Sequence, residues 1–134
     1  MNKILVDTSV WIDALNGRAT KGAKLLAELI ERDAPIVTCP IIIQEILQGF
    51  RNDEDFKKVK EILSGFELLV IDPIDAAYGA AMLYRDMRKK GISIRKSNDC
   101  LIAFFAIYNQ AQLLHNDADF NRIAKHSSLK IVVV

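Results

Sequence analysis

The run Ile4-Leu5-Val6, closed abruptly by Asp7-Thr8-Ser9, limits what this chain can fold into more than any other stretch. It is short, continuously apolar and rich in β-branched residues, which suits a strand covered on both faces, as in a parallel sheet between helices. Asp7-Thr8-Ser9 then reads as the carboxyl edge of that strand and the N-cap of a short helix carrying Val10, Trp11 and Leu15. Ligands of open α/β sheets bind outside that edge. An acid placed there has two readings, a helix cap or a functional group, and the remaining chain has to separate them.

Helical and strand patterns alternate from there on. After the Asn16-Gly17 break, residues 19–31 place Ala23, Leu25, Leu26, Leu29 and Ile30 at helical spacing, and Asp33-Ala34-Pro35 ends the run. Ile36-Val37-Thr38-Cys39 is a second strand, and Pro40 opens a helix to about residue 50 that packs Ile42, Ile43, Ile46, Leu47 and Phe50. Glu45 lies at the border of that apolar stripe. Residues 52–64 form an amphipathic helix with Phe56, Val59, Ile62 and Leu63 inward. A third strand is expected within residues 66–71. Asp72-Pro73 opens a long helix to about residue 90, with Ala77, Tyr78, Ala81, Tyr84 and Met87 as its core stripe and Gly91 as its end.

Ser97 is expected to cap the next helix, which runs to about residue 109 and is apolar enough to lie buried against the sheet. Asp99 sits in its first turn, on a face continued by Ile102, Ala103 and Ala106. Gln112-Leu113-Leu114 is a brief strand ending in His115-Asn116-Asp117-Ala118-Asp119-Phe120; a short helix starts at Asp119 and a terminal strand covers residues 130–134. The pattern predicts a three-layer α/β/α sandwich with a mainly parallel central sheet.

At 134 residues the chain fits one domain, residues 1–134, and with half its residues hydrophobic and a quarter charged it has the profile of a folded soluble protein. Its net charge of +1 excludes nucleic-acid binding by bulk positive charge, so such binding has to use a local patch. Met1-Asn2-Lys3 leads straight into a strand without the features of a secretory leader, and no apolar stretch reaches the roughly 18 residues of a membrane span, so a cytoplasmic location is expected. Cys39 and Cys100 lie far apart without metal or redox spacing, and are expected to be buried and reduced.

Asp7 and Asp117 both follow short apolar strands, and right-handed winding can bring Glu45 and Asp99 to the same carboxyl edge. Four carboxylates gathered there repel one another unless cations sit between them. Oxygen ligands without a Cys or His cluster select Mg²⁺ or Mn²⁺. Two such ions about 3.5–4 Å apart activate water and stabilise the leaving oxygen of a phosphodiester, with no protein nucleophile required. The chain holds no GxSxG, HExxH, Walker A or GxGxxG motif. His115 is read as ordering the acidic loop or simply packed. A basic cluster of Arg85, Arg88, Lys89, Lys90, Arg95 and Lys96 precedes Asp99 and suits phosphate, although cations at a helix end are also favourable in themselves.

Four pieces, Val6-Asp7-Thr8-Ser9-Val10-Trp11-Ile12-Asp13, Glu45 in its helix, Asn98-Asp99-Cys100-Leu101-Ile102-Ala103, and Leu114-His115-Asn116-Asp117-Ala118-Asp119-Phe120, stand in an order that resembles the PIN-domain ribonucleases, specifically the VapC-type toxins of toxin-antitoxin pairs. The resemblance implies that Asp7, Glu45 and Asp99 are metal-binding acids with Asp117 as the fourth and Asp119 as its competitor. It also implies that Thr8 and Ser9 support the site; Asn116 is expected to support it as well, and of the basic cluster Arg85, Arg88, Lys89, Arg95 and Lys96 are the candidates for contacting RNA. Where relatives often carry Thr, this chain has His115. The activity implied is Mg²⁺/Mn²⁺-dependent endonucleolytic cleavage of RNA such as tRNA or rRNA, arresting translation. The partners implied are a second copy in a homodimer and a VapB-like antitoxin, whose tail blocks the acidic pocket and through which alone DNA is bound.

Two other classes fit acids at strand ends. A phosphoaspartyl phosphatase wants a second acid two residues after the first, where this chain has Ser9, and a receiver domain wants adjacent acids and a late Lys that cannot be placed here. A catalytically inactive module whose acidic pocket docks a basic partner peptide remains the alternative to an enzyme.

Overall fold

The structure is a computed structural model that describes residues 2–134. From Ile4–Val6 (β1) the chain passes through Thr8–Leu15 (α1) and Lys21–Glu31 (α2) to Ile36–Thr38 (β2). It continues as Pro40–Leu47 (α3), Asp53–Ser64 (α4), Glu67–Leu68 (β3), Pro73–Lys89 (α5), Ser97–Tyr108 (α6), Gln112–Leu114 (β4), Ala118–Lys125 (α7) and Lys130–Ile131 (β5). Every residue of β1 and β2 is buried, as their apolar runs require. Side-chain caps start the helices where the sequence offers them: Thr20 accepts from the Ala23 amide, Asn52 from Glu54 and Asp55, and Asp72 from Ile74 and Asp75 ahead of Pro73. Gly91 follows α5 with φ +77°, a left-handed turn that glycine enters without steric cost.

All ladders are parallel in the order β3-β2-β1-β4-β5, giving the expected α/β/α sandwich. That order reverses direction at β1. Connections run outward to β2 and β3 on one side and to β4 and β5 on the other, so a crevice opens where the carboxyl ends of β1 and β4 diverge. Leu5 lies in register with both Val37 and Leu113, and the Asp7 amide extends the ladder by donating to Leu114 O at 2.9 Å. The residues after β1 and after β4 therefore leave the sheet side by side. Phe120, fully buried just beyond the second of these exits, contributes about 2–3 kcal/mol through removal of its ring from water.

Several boundaries and faces differ from the sequence expectation. The third strand narrows to Glu67–Leu68, both exposed at the sheet edge, and the terminal one to Lys130–Ile131, leaving Val133 and Val134 exposed. In α4, Phe56 and Ile62 face outward and only Val59 and Leu63 are buried; Ile30 of α2 is exposed as well. α5 turns a different face inward than its periodicity suggests. Ala76, Leu83 and Met87 are buried, whereas Ala77, Tyr78 and Ala81 are exposed and Tyr84 is half-buried. Gly79 is the reason: a methyl group there would overlap the Phe104 ring of α6, so the glycine lets the two helices close together on that side. Ser97 is the first residue of α6 and not its cap. Lys96 takes the cap position, its carbonyl accepting from the Asp99 amide at 3.0 Å, and no side chain caps that end.

Candidate active site

Asp7 combines both roles that its position allowed. It caps α1, and its Oδ2 accepts from the Ser9 amide (3.0 Å) and the Ser9 hydroxyl (2.6 Å) while the side chain is almost wholly buried. Burial pushes its pKa up, the Ser9 hydrogen bonds pull it back, and the charge of Glu45 adds to the rise. Glu45 is half-buried on α3 and accepts from the Thr8 hydroxyl at 2.7 Å, so the two residues after Asp7 each fix one carboxylate.

The acids of the other chain half meet more tightly. Asp99, Asp117 and Asp119 each bring an oxygen into a group whose members all lie within 4.8 Å of one another. Asp7 and Glu45 fall outside that triplet, but Asp7 raises the Asp99 pKa by its charge and so stands within electrostatic reach. Asp99 is buried on α6 together with Ile102, Ala103 and Ala106, the small-residue face that lets the helix approach the sheet. Burial first, then the charges of Asp117, Asp7 and Asp119, push its carboxyl up to about 7 against the opposing pull of Lys96. Its Oδ2 is buried without a hydrogen-bond partner among the described residues.

Asp117 caps α7, accepting from the Asp119 amide at 3.0 Å, and pairs with Lys96 at 3.3 Å and Arg95 at 3.8 Å. Asp119 begins no helix, contrary to expectation, but sits in the first turn of α7. It is fully buried and bound by Arg122 and, at 3.5 Å, by Arg95. Burial alone would raise its pKa; the two guanidinium groups outweigh that and hold it below the usual range. His115 packs at a tilt against Phe120, with ring centroids 5.2 Å apart and the ring planes at 50°, and its Nδ1 accepts the Asp117 amide at 3.1 Å. Burial lowers its pKa, and a neutral ring with Nδ1 as acceptor fits that hydrogen bond. The basic candidates divide into two sets. Arg95 and Lys96 are engaged with the acids, whereas Arg85, Arg88 and Lys89 have no carboxylate within ion-pairing distance among the described residues. Arg85 and Arg88 line a groove between α5 and α6 together with Tyr84, Ser97 and Asn98, and Arg88 lies 5.8 Å over the Tyr84 ring.

Residues 4–126 match the PIN domain family. The chain belongs to the PIN-domain family. Over 128 residues this PIN domain is 34% identical to a VapC ribonuclease of Mycobacterium bovis and to ribonuclease VapC11 of Mycobacterium tuberculosis, covering 95% of this chain and 96% of each relative. It superposes on VapBC2 of Rickettsia felis, solved with a DNA fragment of its promoter, with a TM-score of 0.75 at 21% identity over 97% of both chains. For VapBC-1 of nontypeable Haemophilus influenzae the TM-score is 0.74 at 22% identity, over 97% of this chain and 96% of the other. These superpositions speak for the fold. Among the described residues no helix of this PIN domain is long and apolar enough to cross a membrane.

Sequence reasoning passed over two members of the site. Arg122 reaches Asp119 from one helical turn on, a pairing that the i, i+3 spacing announces. Asp13, buried on α1, stands in the first motif without a role of its own in the sequence expectation. Cys39 and Cys100 are free and buried as expected, their thiols pushed up to about 12 and about 11, mainly by burial.

Proposed function

We propose that this chain is a divalent-metal-dependent endoribonuclease of the VapC toxin type, acting in the cytoplasm on RNA such as tRNA or rRNA and thereby arresting translation. The observation that carries this reading is the buried, partnerless Asp99 Oδ2 beside the oxygens of Asp117 and Asp119. An orphaned carboxylate oxygen among like charges is costly unless a cation completes it, and an all-oxygen donor set fits Mg²⁺ or Mn²⁺. Asp7, Asp99 and Asp117 would hold the metal, with Glu45 beside Asp7, and Asp119 kept in place by Arg122. When bound, the ion lowers the pKa of water and neutralises charge on a phosphodiester. The chain's own residues do the positioning: Ser9 fixes the Asp7 carboxylate, Thr8 fixes Glu45, and His115 holds the backbone of Asp117. Arg85 and Arg88, lacking carboxylate partners, would bind RNA phosphates in the groove beside Asn98, with Tyr84 offering a face for a base and Lys89, Arg95 and Lys96 adding charge. Hydrolysis adds water across one P–O bond of the RNA chain.

The partners of this reading are a VapB-like antitoxin, which carries any DNA contact, and a second copy of the chain. That the structural relatives described above are VapBC proteins supports the first. The apolar row Ile74, Tyr78 and Met82, exposed along α5, supports the second. One observation favours the other reading: Arg95, Lys96 and Arg122 already show the acids accepting basic side chains, as a pocket for a basic peptide would. Purified, antitoxin-free protein and its Asp7→Asn variant, incubated with total RNA under Mg²⁺, Mn²⁺ or chelator and read by sequencing of new RNA ends, separate the two. Discrete ends that need both metal and Asp7 are expected; folded, metal-binding protein that produces no ends would favour the docking module.

A further inference from the structure

Asp13 is a buried carboxylate that none of the chemistry above uses, and it sits one turn after Ser9 on the same face of α1. Its Oδ2 accepts from Asn116 Nδ2 at 3.0 Å, across a sequence separation of 103 residues. The other side-chain donors are longer: Arg18 Nη1 at 3.4 Å, from the loop after α1, and Thr20 Oγ1 at 3.5 Å, from the N-cap of α2. Asn116 is gripped a second time by α1, because its backbone amide donates to Ser9 Oγ at 3.0 Å, the same oxygen that donates to Asp7 Oδ2. One helix face thus holds both polar ends of the residue immediately before Asp117. We propose that Asp13 is a positioning residue: through Asn116 it sets the distance between the acid on the β1 side, Asp7, and those of the β4–α7 loop, Asp117 and Asp119. The inference rests on the metal-site reading above.

The clamp has a mechanical basis. Asp117 and Asp119 repel Asp99, and among the described residues their counter-charges are the largely exposed Arg95 and Lys96, with Arg122 half-exposed. Long exposed cations hold geometry weakly. A short bond from a buried acid to the loop's own asparagine is a stiffer restraint, of the kind by which groups behind metal ligands change affinity by about 10–100-fold.

The test is titration of purified full-length protein with Mn²⁺ alone, followed by electron paramagnetic resonance, with thermal melts in parallel. Asp13→Ala and Asn116→Ala are each expected to weaken Mn²⁺ binding by about tenfold. The double variant should be no weaker than the weaker single one, because both remove the same bond. Asp13→Asn, which keeps an oxygen acceptor for Asn116, should restore most of the affinity, and Arg18→Ala should leave it unchanged. A purely structural acid would lower the melting temperature without changing the affinity of the folded fraction. Wild-type affinity in folded Asp13→Ala, or losses that multiply in the double variant, would overturn the inference while leaving the metal site standing. If Asp13→Ala fails to fold, the comparison of Asn116→Ala with Asp13→Asn carries the same decision. Wild-type protein that binds no Mn²⁺ would overturn the metal-site reading, and this inference with it.

Discussion

Asp99→Asn is expected to stabilise the metal-free protein while destroying its capacity to bind metal. The buried carboxyl ionises near 7 in the folded protein against 3.8 in an unperturbed chain. Between those values the folded state keeps a proton that the unfolded state has lost, so stability falls as the pH rises through that window. Three units at about 1.4 kcal/mol each amount to about 4 kcal/mol of strain at pH 8, fading to about 1–2 kcal/mol at pH 5. An asparagine carries no charge to strip of water, and it would set a neutral amide in place of a like charge among the oxygens of Asp117 and Asp119, all within 4.8 Å of one another. The assay is thermal melting in chelator at pH 5 and pH 8. For a domain of this size the variant should melt roughly 10 °C or more above wild type at pH 8 and only a few degrees above it at pH 5. Saturating Mn²⁺ should raise the wild-type melting temperature and leave that of the variant where it was. A variant that melts at or below wild type at pH 8, or a gap that does not shrink toward pH 5, would refute the idea that Asp99 is held in a state of uncompensated charge.

The Arg85→Ala, Arg88→Ala double variant should bind a non-cleavable RNA more weakly and reduce the slope of log affinity against log salt by about 1–2, with Mn²⁺ affinity unaffected; an unchanged slope would remove both residues from the RNA path. Thr8→Val takes away the 2.7 Å bond that holds Glu45, and should lower the cleavage rate several-fold with little change in melting temperature. Gly79→Ala forces a methyl group against Phe104 and should cost about 1–3 kcal/mol in chemical denaturation, despite the better helix propensity of alanine.

The sequence carried the strands of the sheet centre and the acids attached to them, because β1, β2 and β4 lie almost wholly buried and each carries at least two consecutive apolar residues, with only Thr38 and Gln112 polar. Asp7 stood out as the polar residue that ends such a run, and Asp99 could be placed by the small residues Ala103 and Ala106 on its face. The face of α5 was misread for a reason that periodicity cannot see. That helix is apolar on two sides, one row for α6 and one exposed, and what selects between them is the missing side chain of Gly79. Ser97 looked like a cap by residue type, but the turn starts at Lys96, whose side chain reaches Asp117. Asn116 is expected in the site, but its partner Asp13 lies far away in sequence, and only the parallel pairing of β1 with β4 makes them neighbours.

That pairing also fixes when the acidic cluster can be completed. β1 is synthesised well before β4, whose register partner for Leu5 is Leu113, and needs it before its open side is covered. The acids after β1 and those after β4 are therefore separated by the synthesis of every intervening element, and a nascent chain lacks Asp117 and Asp119 until β4 has been made. A chain still being made therefore cannot present the completed acidic cluster before the residues that follow β4 have emerged.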